Sequence, residues 1–528
     1  MEKNIDKFKG CLIGGAIGDA LGYPIEFVKP DKNHKVTRFD DKGIISDDTQ
    51  MTLFTANGLL WGQTRFNLRG IAPNVSDCIY FAYQDWYKTQ TKNSSEKKVS
   101  WIANLPELNV NRAPGNTCLN ALGSNKKGTI DSPINNSKGC GSVMRIAPIG
   151  LFFSTKGTTL HEIGKYGAEA GAITHGHPLG IIPCYVLTII INELAYTNKT
   201  IEEATDEAIE MLKINFDIFD KENRDYFINL IRKAEKLAHN KLISDDKAIE
   251  ELGEGWVAEE ALAIALYSTI KYSKDFEKAI VCSVNHKGDS DSTGAIAGNI
   301  IGTYLGYGEI PSYYIDNLEL KDVILEIAED LFIDCPVNEY SNENDEYWES
   351  KYLYLNRDLS KKVKDWNIMH IEEVCLTKEN LLKIQDIDDT FYKNAIIGIH
   401  WYLERYNKDH KGIVLLDNNK VVGYIVAVPI KKELYDAITN GVIINDLYIN
   451  PKMFVKESNY KYVVSCVLLK KYRGKGYATQ MMKKLFNKAK GYYCALTITE
   501  NGYNLANKFM KLKLNINDDT NVFIKDFS

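Results

Sequence analysis

The sequence predicts a multidomain protein, an all-α domain followed by a smaller α/β domain. Three observations predict it. Helical spacing of apolar residues dominates up to about residue 335. A polar, acidic stretch, PVNEYSNENDEYWESKY (336–352), interrupts that pattern. β-branched runs separated by turn residues follow it. The expected boundaries are 1–340 for the first domain, 341–367 for a linker and 368–528 for the second domain.

In the first domain, residues 158–173, 178–197, 201–213, 255–272, 275–284 and 291–306 are helices by length and apolar spacing. The connections RAPGNT (112–117) and INNSKGCG (134–141) carry turn residues and are expected to be functional loops. The aromatic cluster Tyr80, Phe81, Tyr83, Trp86 and Tyr87 is expected to be core packing. In the second domain, 412–428 is two strands around Asp417-Asn418-Asn419, a hairpin. Further strands are expected at 441–449, 462–469 and 493–499. A helix at 476–490 completes a βαβ-like unit.

Composition narrows the function classes. At 528 residues, 45% hydrophobic and 25% charged, the chain is neither fibrous nor largely disordered. A net charge of −6, from 64 basic and 70 acidic residues, gives no overall basic surplus, so a nucleic-acid partner is not expected. The ten cysteines stand singly, without a C-x-x-C pair, and predict reduced thiols in a cytoplasmic protein. Asp19 and several glycines interrupt the apolar N-terminal run, which is therefore not expected to be a signal peptide. The longest apolar run, Ile181–Ile191, is about half a membrane span and predicts a buried helix, with no membrane partner.

Two acidic clusters precede apolar helical runs: Ser46-Asp47-Asp48 and Asp289-Ser290-Asp291-Ser292. One capping aspartate would need no further explanation. The surplus carboxylates would repel unless a cation sat among them. Their hard oxygen ligands suit Mg²⁺, Mn²⁺ or Ca²⁺, and the EF-hand pattern with its terminal glutamate is absent. Capping and metal binding both stay open on pattern alone.

The segments GDALGYPIEF (18–27), SDDTQMTL (46–53), GCGSVMRIAPIGL (139–151), THGHP (174–178) and GDSDSTGAIAGN (288–299) occur in this order over roughly 300 residues. Together they resemble the ADP-ribosylglycohydrolase family. The resemblance implies an all-α fold with a binuclear Mg²⁺ centre, Mn²⁺ being the alternative. It maps the metal ligands onto Ser46, Asp47, Asp48, Asp289, Asp291 and Ser292. Glu26 matches a glutamate that approaches the metals and gates the substrate, and Asp48 or Asp291 would act as base. Gly139, Cys140, Gly141, Ser142, Met144 and Arg145 match the loop that contacts ADP-ribose, with His175 lining the same cleft. Cys140 stands where many members carry Asn. The implied reaction is hydrolysis of the bond between ADP-ribose and a modified residue, most plausibly protein arginine. ADP-ribosyl-serine, nucleic acid, small molecules and pure sensing are the alternatives. An ADP-ribosylating toxin is an implied partner, as for bacterial immunity members of the family.

From Lys461 to Lys513 there are twelve Lys or Arg and one acid, Glu500. A solvated basic face is the simpler explanation. Within this stretch, Lys471-Tyr472-Arg473-Gly474-Lys475-Gly476 follows a strand and opens a helix. It resembles motif A of the GNAT acetyltransferases. That implies acetyl-CoA binding by the backbone of Arg473, Gly474, Lys475, Gly476, Tyr477 and Ala478. Where the family often carries a tyrosine acid, this chain has Met510, which cannot donate a proton.

Overall fold

The computed structural model describes residues 3–527 except 28–34, 71, 73, 93–97, 154–156, 215–218, 338–344, 362–369, 392–398, 407–408, 418–419, 444, 446–448, 474–475, 488, 498 and 517–519. The chain divides into two compact units, Met1–Lys362 and Val363–Ser528.

The first unit is helical. Its helices are α1 (Ile5–Gly22), α2 (Asp47–Arg69), α3 (Val75–Thr91), α4 (Asn116–Gly123), α5 (Ala147–Phe152) and α6 (Leu160–Ala172). Then come α7 (Pro178–Tyr196), α8 (Ile201–Ile214), α9 (Lys221–His239), α10 (Asp245–Glu250) and α11 (Ala258–Lys271). The series ends with α12 (Phe276–Val284), α13 (Ser290–Leu305), α14 (Ser312–Asp316), α15 (Lys321–Ile333) and α16 (Glu346–Tyr352). The six helices expected from spacing are α6, α7, α8, α11, α12 and α13. Helix α7 is long and apolar enough to cross a membrane, but it is buried inside the unit. Of the aromatic cluster in α3, Tyr83 and Trp86 are core residues while Phe81 is exposed.

The glycine-interrupted N-terminal run is itself a helix. Gly10, Gly14, Gly18 and Gly22 of α1 face the backbone of Gly302, Gly298, Gly294 and Ser290 of α13. A Cβ on any of these four would run into that backbone, so the two helices cross antiparallel at a separation larger side chains forbid. This crossing carries Asp19 and the start of α13 into one place.

The acidic connector needs correcting. Residues 345–361 belong to the first unit rather than to a solvated linker. Trp348 and Tyr352 enter its core, and the Trp348 indole N–H donates to Thr64 Oγ1 (2.9 Å). Lys351 is 1% exposed and lies 2.9 Å from Glu326 and 2.5 Å from Asp330. The aromatics bury enough surface to dock a segment that acidic composition alone marks as soluble.

The second unit is a seven-stranded sheet, ordered β1-β2-β3-β4-β5-β7-β6. The strands are β1 (His370–Cys375), β2 (Lys411–Asp417), β3 (Lys420–Pro429), β4 (Tyr460–Leu468), β5 (Gly491–Thr497), β6 (Lys511–Asn515) and β7 (Asn521–Phe527). Its helices are α17 (Lys378–Phe391), α18 (Ile399–Arg405), α19 (Lys432–Thr439), α20 (Tyr477–Phe486) and α21 (Glu500–Phe509). All neighbours pair antiparallel except β4 and β5, which are parallel over Tyr460–Val463 and Tyr492–Ala495. The predicted hairpin is β2–β3 and the βαβ unit is β4–α20–β5. No strand forms among the described residues of 441–449. Gly441 turns there with φ 71°, which breaks the extended run its β-branched neighbours suggest.

Candidate functional site

Asp19 organises the acidic centre from the middle of α1. Its carboxylate accepts from the Ser46 N–H and the Thr49 N–H, each at 3.0 Å, and from the Thr49 hydroxyl. This fixes the first turn of α2, where Asp47 and Asp48 stand with Ser46 as N-cap. Sequence reasoning missed Asp19, treating it as an interruption. A charged residue inside an apolar helical run must find buried partners, and that was the available signal.

Asp47 Oδ2 accepts from the Gly115 N–H (3.1 Å). Asp48 Oδ2 bonds the Ser46 hydroxyl (3.2 Å), while Asp48 Oδ1 is buried without a partner. Across the α1–α13 crossing, Asp289 caps α13 by accepting from the Ser292 N–H (3.2 Å), and Asp291 Oδ1 accepts from the same N–H (2.9 Å). One oxygen each of Glu26, Asp289 and Asp291 lie within 4.8 Å of one another. Glu26 Oε2 is buried and unpartnered. Asp19, Ser46, Asp47, Asp48, Asp289, Asp291 and Ser292 are all 4% exposed or less. Among the described residues, no lysine or arginine pairs with these carboxylates.

Burial and mutual repulsion therefore dominate their protonation. Asp47, Asp48 and Asp291 are pushed well above the usual carboxylate range, first by loss of water and then by their acidic neighbours. Glu26 is pushed up to about 8 for the same reasons, first by burial and then by the charges of Asp289 and Asp47. Asp19 rises to about 6 through burial, held back by its bonds to Thr49 and Ser46. Two orphaned oxygens in a set of hard oxygen donors fit a small divalent cation. Both clusters do cap helices, yet capping leaves Glu26 Oε2 and Asp48 Oδ1 unexplained.

The glycine loop lies against this centre. Residues Cys140–Ser142 form a single 3₁₀ turn. The Cys140 thiol donates to Asp289 Oδ2 (2.6 Å), and its N–H donates to the Trp256 carbonyl (3.2 Å). That N–H is thus not available to a ligand. The thiol is pushed well above its ordinary pKa by burial and by Asp289, which makes it a donor and not a nucleophile. Ser142 is buried and donates to the Gly180 carbonyl (2.6 Å). A Cβ on Gly141 would crowd Cys118 Sγ (3.0 Å), whereas one on Gly139 would make ordinary contact with the His175 ring (3.4 Å).

His175, Met144 and Arg145 are buried beneath the loop, at 1%, 2% and 0% exposure. Arg145 donates to Thr174 Oγ1 (2.7 Å) and lies over the Tyr83 ring (4.3 Å). Thr174 Oγ1 in turn meets His175 Nδ1 (2.8 Å). Burial and Arg145 lower the His175 pKa to about 3, so the ring is neutral. The side chains of Met144, Arg145 and His175 support the loop from below and do not line an open cleft.

In the second unit, Gly474 and Lys475 lie outside the described residues. Arg473 is exposed and donates from Nε to the Leu468 carbonyl (2.9 Å). Gly476 takes φ 78° at the N-cap of α20, a left-handed conformation that suits glycine. Tyr477 and Ala478 begin α20 and pack on the sheet core. Met510 is buried in that core, and Tyr503 packs edge-on against Phe523 (5.3 Å).

Residues 1–340 match the family model described as ADP-ribosylglycohydrolase, and residues 380–513 match that of the acetyltransferase (GNAT) family. The chain is similar to the ADP-ribosylarginine hydrolase Tri1 of Serratia proteamaculans, with 26% identity over 64% of this chain and 82% of that protein. Similarity to the ADP-ribosyl-(dinitrogen reductase) glycohydrolase of Rhodospirillum rubrum is 23% over 60% of this chain and 91% of the relative. For the ADP-ribosylhydrolase ARH3 of Mus musculus the figures are 21%, 60% and 88%.

Proposed function

Because this chain belongs to the ADP-ribosylglycohydrolase family, hydrolases that act on ADP-ribosylated substrates, we propose that its own reaction is release of ADP-ribose from modified arginine in proteins. The observation that carries a metal-assisted hydrolysis is the orphaned pair of oxygens, Glu26 Oε2 and Asp48 Oδ1, among buried acids. Two Mg²⁺ ions held by Ser46, Asp47, Asp48, Asp289, Asp291 and Ser292 would neutralise those acids and supply Lewis acidity toward the ribose hydroxyls and water.

The chain's own residues then have separate tasks. Asp48, with one buried oxygen free, takes the proton of the attacking water, and Asp291 is the alternative base. Positive charge developing at the ribose carbon is favoured by the surrounding carboxylates. Glu26 closes on the sugar from the single turn Tyr23–Ile25 that follows α1. Gly141 lets the loop lie close over Cys118 and His175, where a diphosphate could approach it with Gly139, while Ser142 and His175 hold its shape. Similarity to a relative named as an arginine hydrolase supports the linkage, and an ADP-ribosylating toxin would be one source of such targets. The second unit would bind acetyl-CoA at the turn before α20. With Met510 in place of a tyrosine acid, acetyl transfer there would need a different proton donor.

The test is release of ADP-ribose from arginine-ADP-ribosylated protein by the full chain in Mg²⁺. We expect loss of roughly a hundredfold or more in the Asp47→Ala/Asp48→Ala variant and in EDTA. Release that survives both would overturn the metal mechanism, and release from ADP-ribosyl-serine alone would overturn the linkage.

A further inference from the structure

Two aromatic side chains stand exposed beside the acidic centre, and the hydrolytic chemistry above uses neither. Phe27 is 74% exposed and Trp256 is 38% exposed. Their rings stack, with centroids 5.9 Å apart and planes 23° from parallel. Exposed rings of this size gain little from the core, and a pair of them at a polar site marks a surface meant to be covered.

Both rings are tied to the chemistry on their flanks. Phe27 directly follows Glu26, whose carboxylate groups with Asp289 and Asp291. Trp256 sits in a segment fastened to the centre and to the glycine loop. The Glu254 carbonyl accepts from the Asp289 N–H (2.9 Å), the Trp256 carbonyl from the Cys140 N–H (3.2 Å), and the Ala258 N–H donates to the Lys138 carbonyl (2.9 Å). Gly255 makes the turn possible with φ 80°. Trp256 is thus held by the same backbone that holds Asp289 and Cys140.

The chemistry it fits is narrow. Aromatic faces carry negative potential and attract cations. A guanidinium is planar, delocalised and weakly hydrated, so it can lie flat on a ring where a hydroxyl group would gain little. We propose that the Phe27–Trp256 stack is the acceptor platform, against which the guanidinium of an ADP-ribosylated arginine lies while its bond to the sugar is cut. This inference rests on the arginine reading above and names residues that would select that acceptor.

The experiment compares wild type, Phe27→Ala, Trp256→Ala and Trp256→Phe in the full chain with Mg²⁺. Protein ADP-ribosylated on arginine and peptide ADP-ribosylated on serine are the substrates, and free ADP-ribose is the competing product. We expect either alanine variant to lower kcat/KM for the arginine substrate by about tenfold, Trp256→Phe to restore most of it, and the ADP-ribose Ki to stay within about twofold. An unchanged kcat/KM on arginine overturns the platform, and so does a parallel loss of ADP-ribose affinity, which would give the rings to the nucleotide. Wild type alone decides the arginine reading. If it does not cleave the arginine substrate, both fall, whereas cleavage with indifferent variants removes only the platform.

Discussion

The two units handle charge in opposite ways. The first draws acids inside: Asp19, Asp47, Asp48, Asp289 and Asp291 are nearly free of solvent contact. The second leaves the bases of its Lys461–Lys513 stretch largely outside: Arg473, Lys483, Lys484, Lys508, Lys511 and Lys513 are exposed. Burying a charge is unfavourable by several kcal/mol unless something compensates it, whereas an exposed lysine is satisfied by water. Buried acids without a countercharge must be neutralised by protons or by a cation, while a basic surface requires neither. The acidic centre consequently supports a functional reading more strongly than the twelve-to-one basic stretch, although both stood out equally as patterns in the sequence.

The sharpest way to break this comparison lies within the first unit, where Lys351 is a buried base with protein partners. Removing it leaves Asp330 with the Tyr352 hydroxyl but, among the described residues, no countercharge of its own, while Glu326 keeps Arg357 (2.6 Å). Lys351→Ala is expected to destabilise the first unit by about 3–5 kcal/mol in urea unfolding. A loss below about 1 kcal/mol would show that buried acids here tolerate isolation, and the case for a cation among Asp47, Asp48 and Asp291 would weaken with it.

The converse change is expected to stabilise. In EDTA, Asp48→Asn removes one of several mutually repelling acids and should raise stability by about 1–2 kcal/mol, while shrinking the thermal shift that Mg²⁺ gives wild type. A destabilised variant with an unchanged Mg²⁺ shift would mean that Asp48 is a structural cap and no ligand.

How much of this was legible in the sequence depended on whether a pattern was local. The six helices with clear apolar spacing were readable, as were the β2–β3 hairpin and the β4–α20–β5 unit. Helix α1 was not, because its glycines argue against a helix until the α13 backbone is brought against them. The 345–361 segment misled because its acidic residues outnumber the few aromatics that dock it. The two acid clusters announced themselves, but Asp19 acts on residues 27 and 30 positions away, a contact only the fold creates. The loop residues Met144, Arg145 and His175 were found by resemblance, and that resemblance gave no hint that they lie beneath the loop.

His175 extends the comparison to a neutral group. Its folded pKa of about 3 lies below the ordinary 6.5, so the unfolded chain binds a proton that the folded chain refuses. That contribution to stability is present above pH 6.5 and is lost as pH falls from 6.5 towards 3. Between pH 7 and pH 5 in EDTA, wild type should lose about 2 kcal/mol more than His175→Asn. Equal slopes would place the ring in a wetter setting than its burial indicates.

The smallest effect is expected where charge faces water. Lys483→Ala/Lys484→Ala should leave the urea midpoint of the second unit unchanged, since exposed lysines hold little of the fold. The same variant should weaken acetyl-CoA binding at low salt and match wild type at high salt, because screening removes what the lysines contribute. Gly476→Ala acts differently. Its left-handed φ of 78° makes a side chain unfavourable by about 1–2 kcal/mol, and its effect on binding should persist in salt. Calorimetry on the two variants separates a turn that grips a diphosphate by backbone geometry from a face that merely attracts anions. If both effects vanish in salt, the basic stretch is a solvated surface and the ligand reading of the second unit fails, whereas a persistent Gly476→Ala effect locates the grip in the turn.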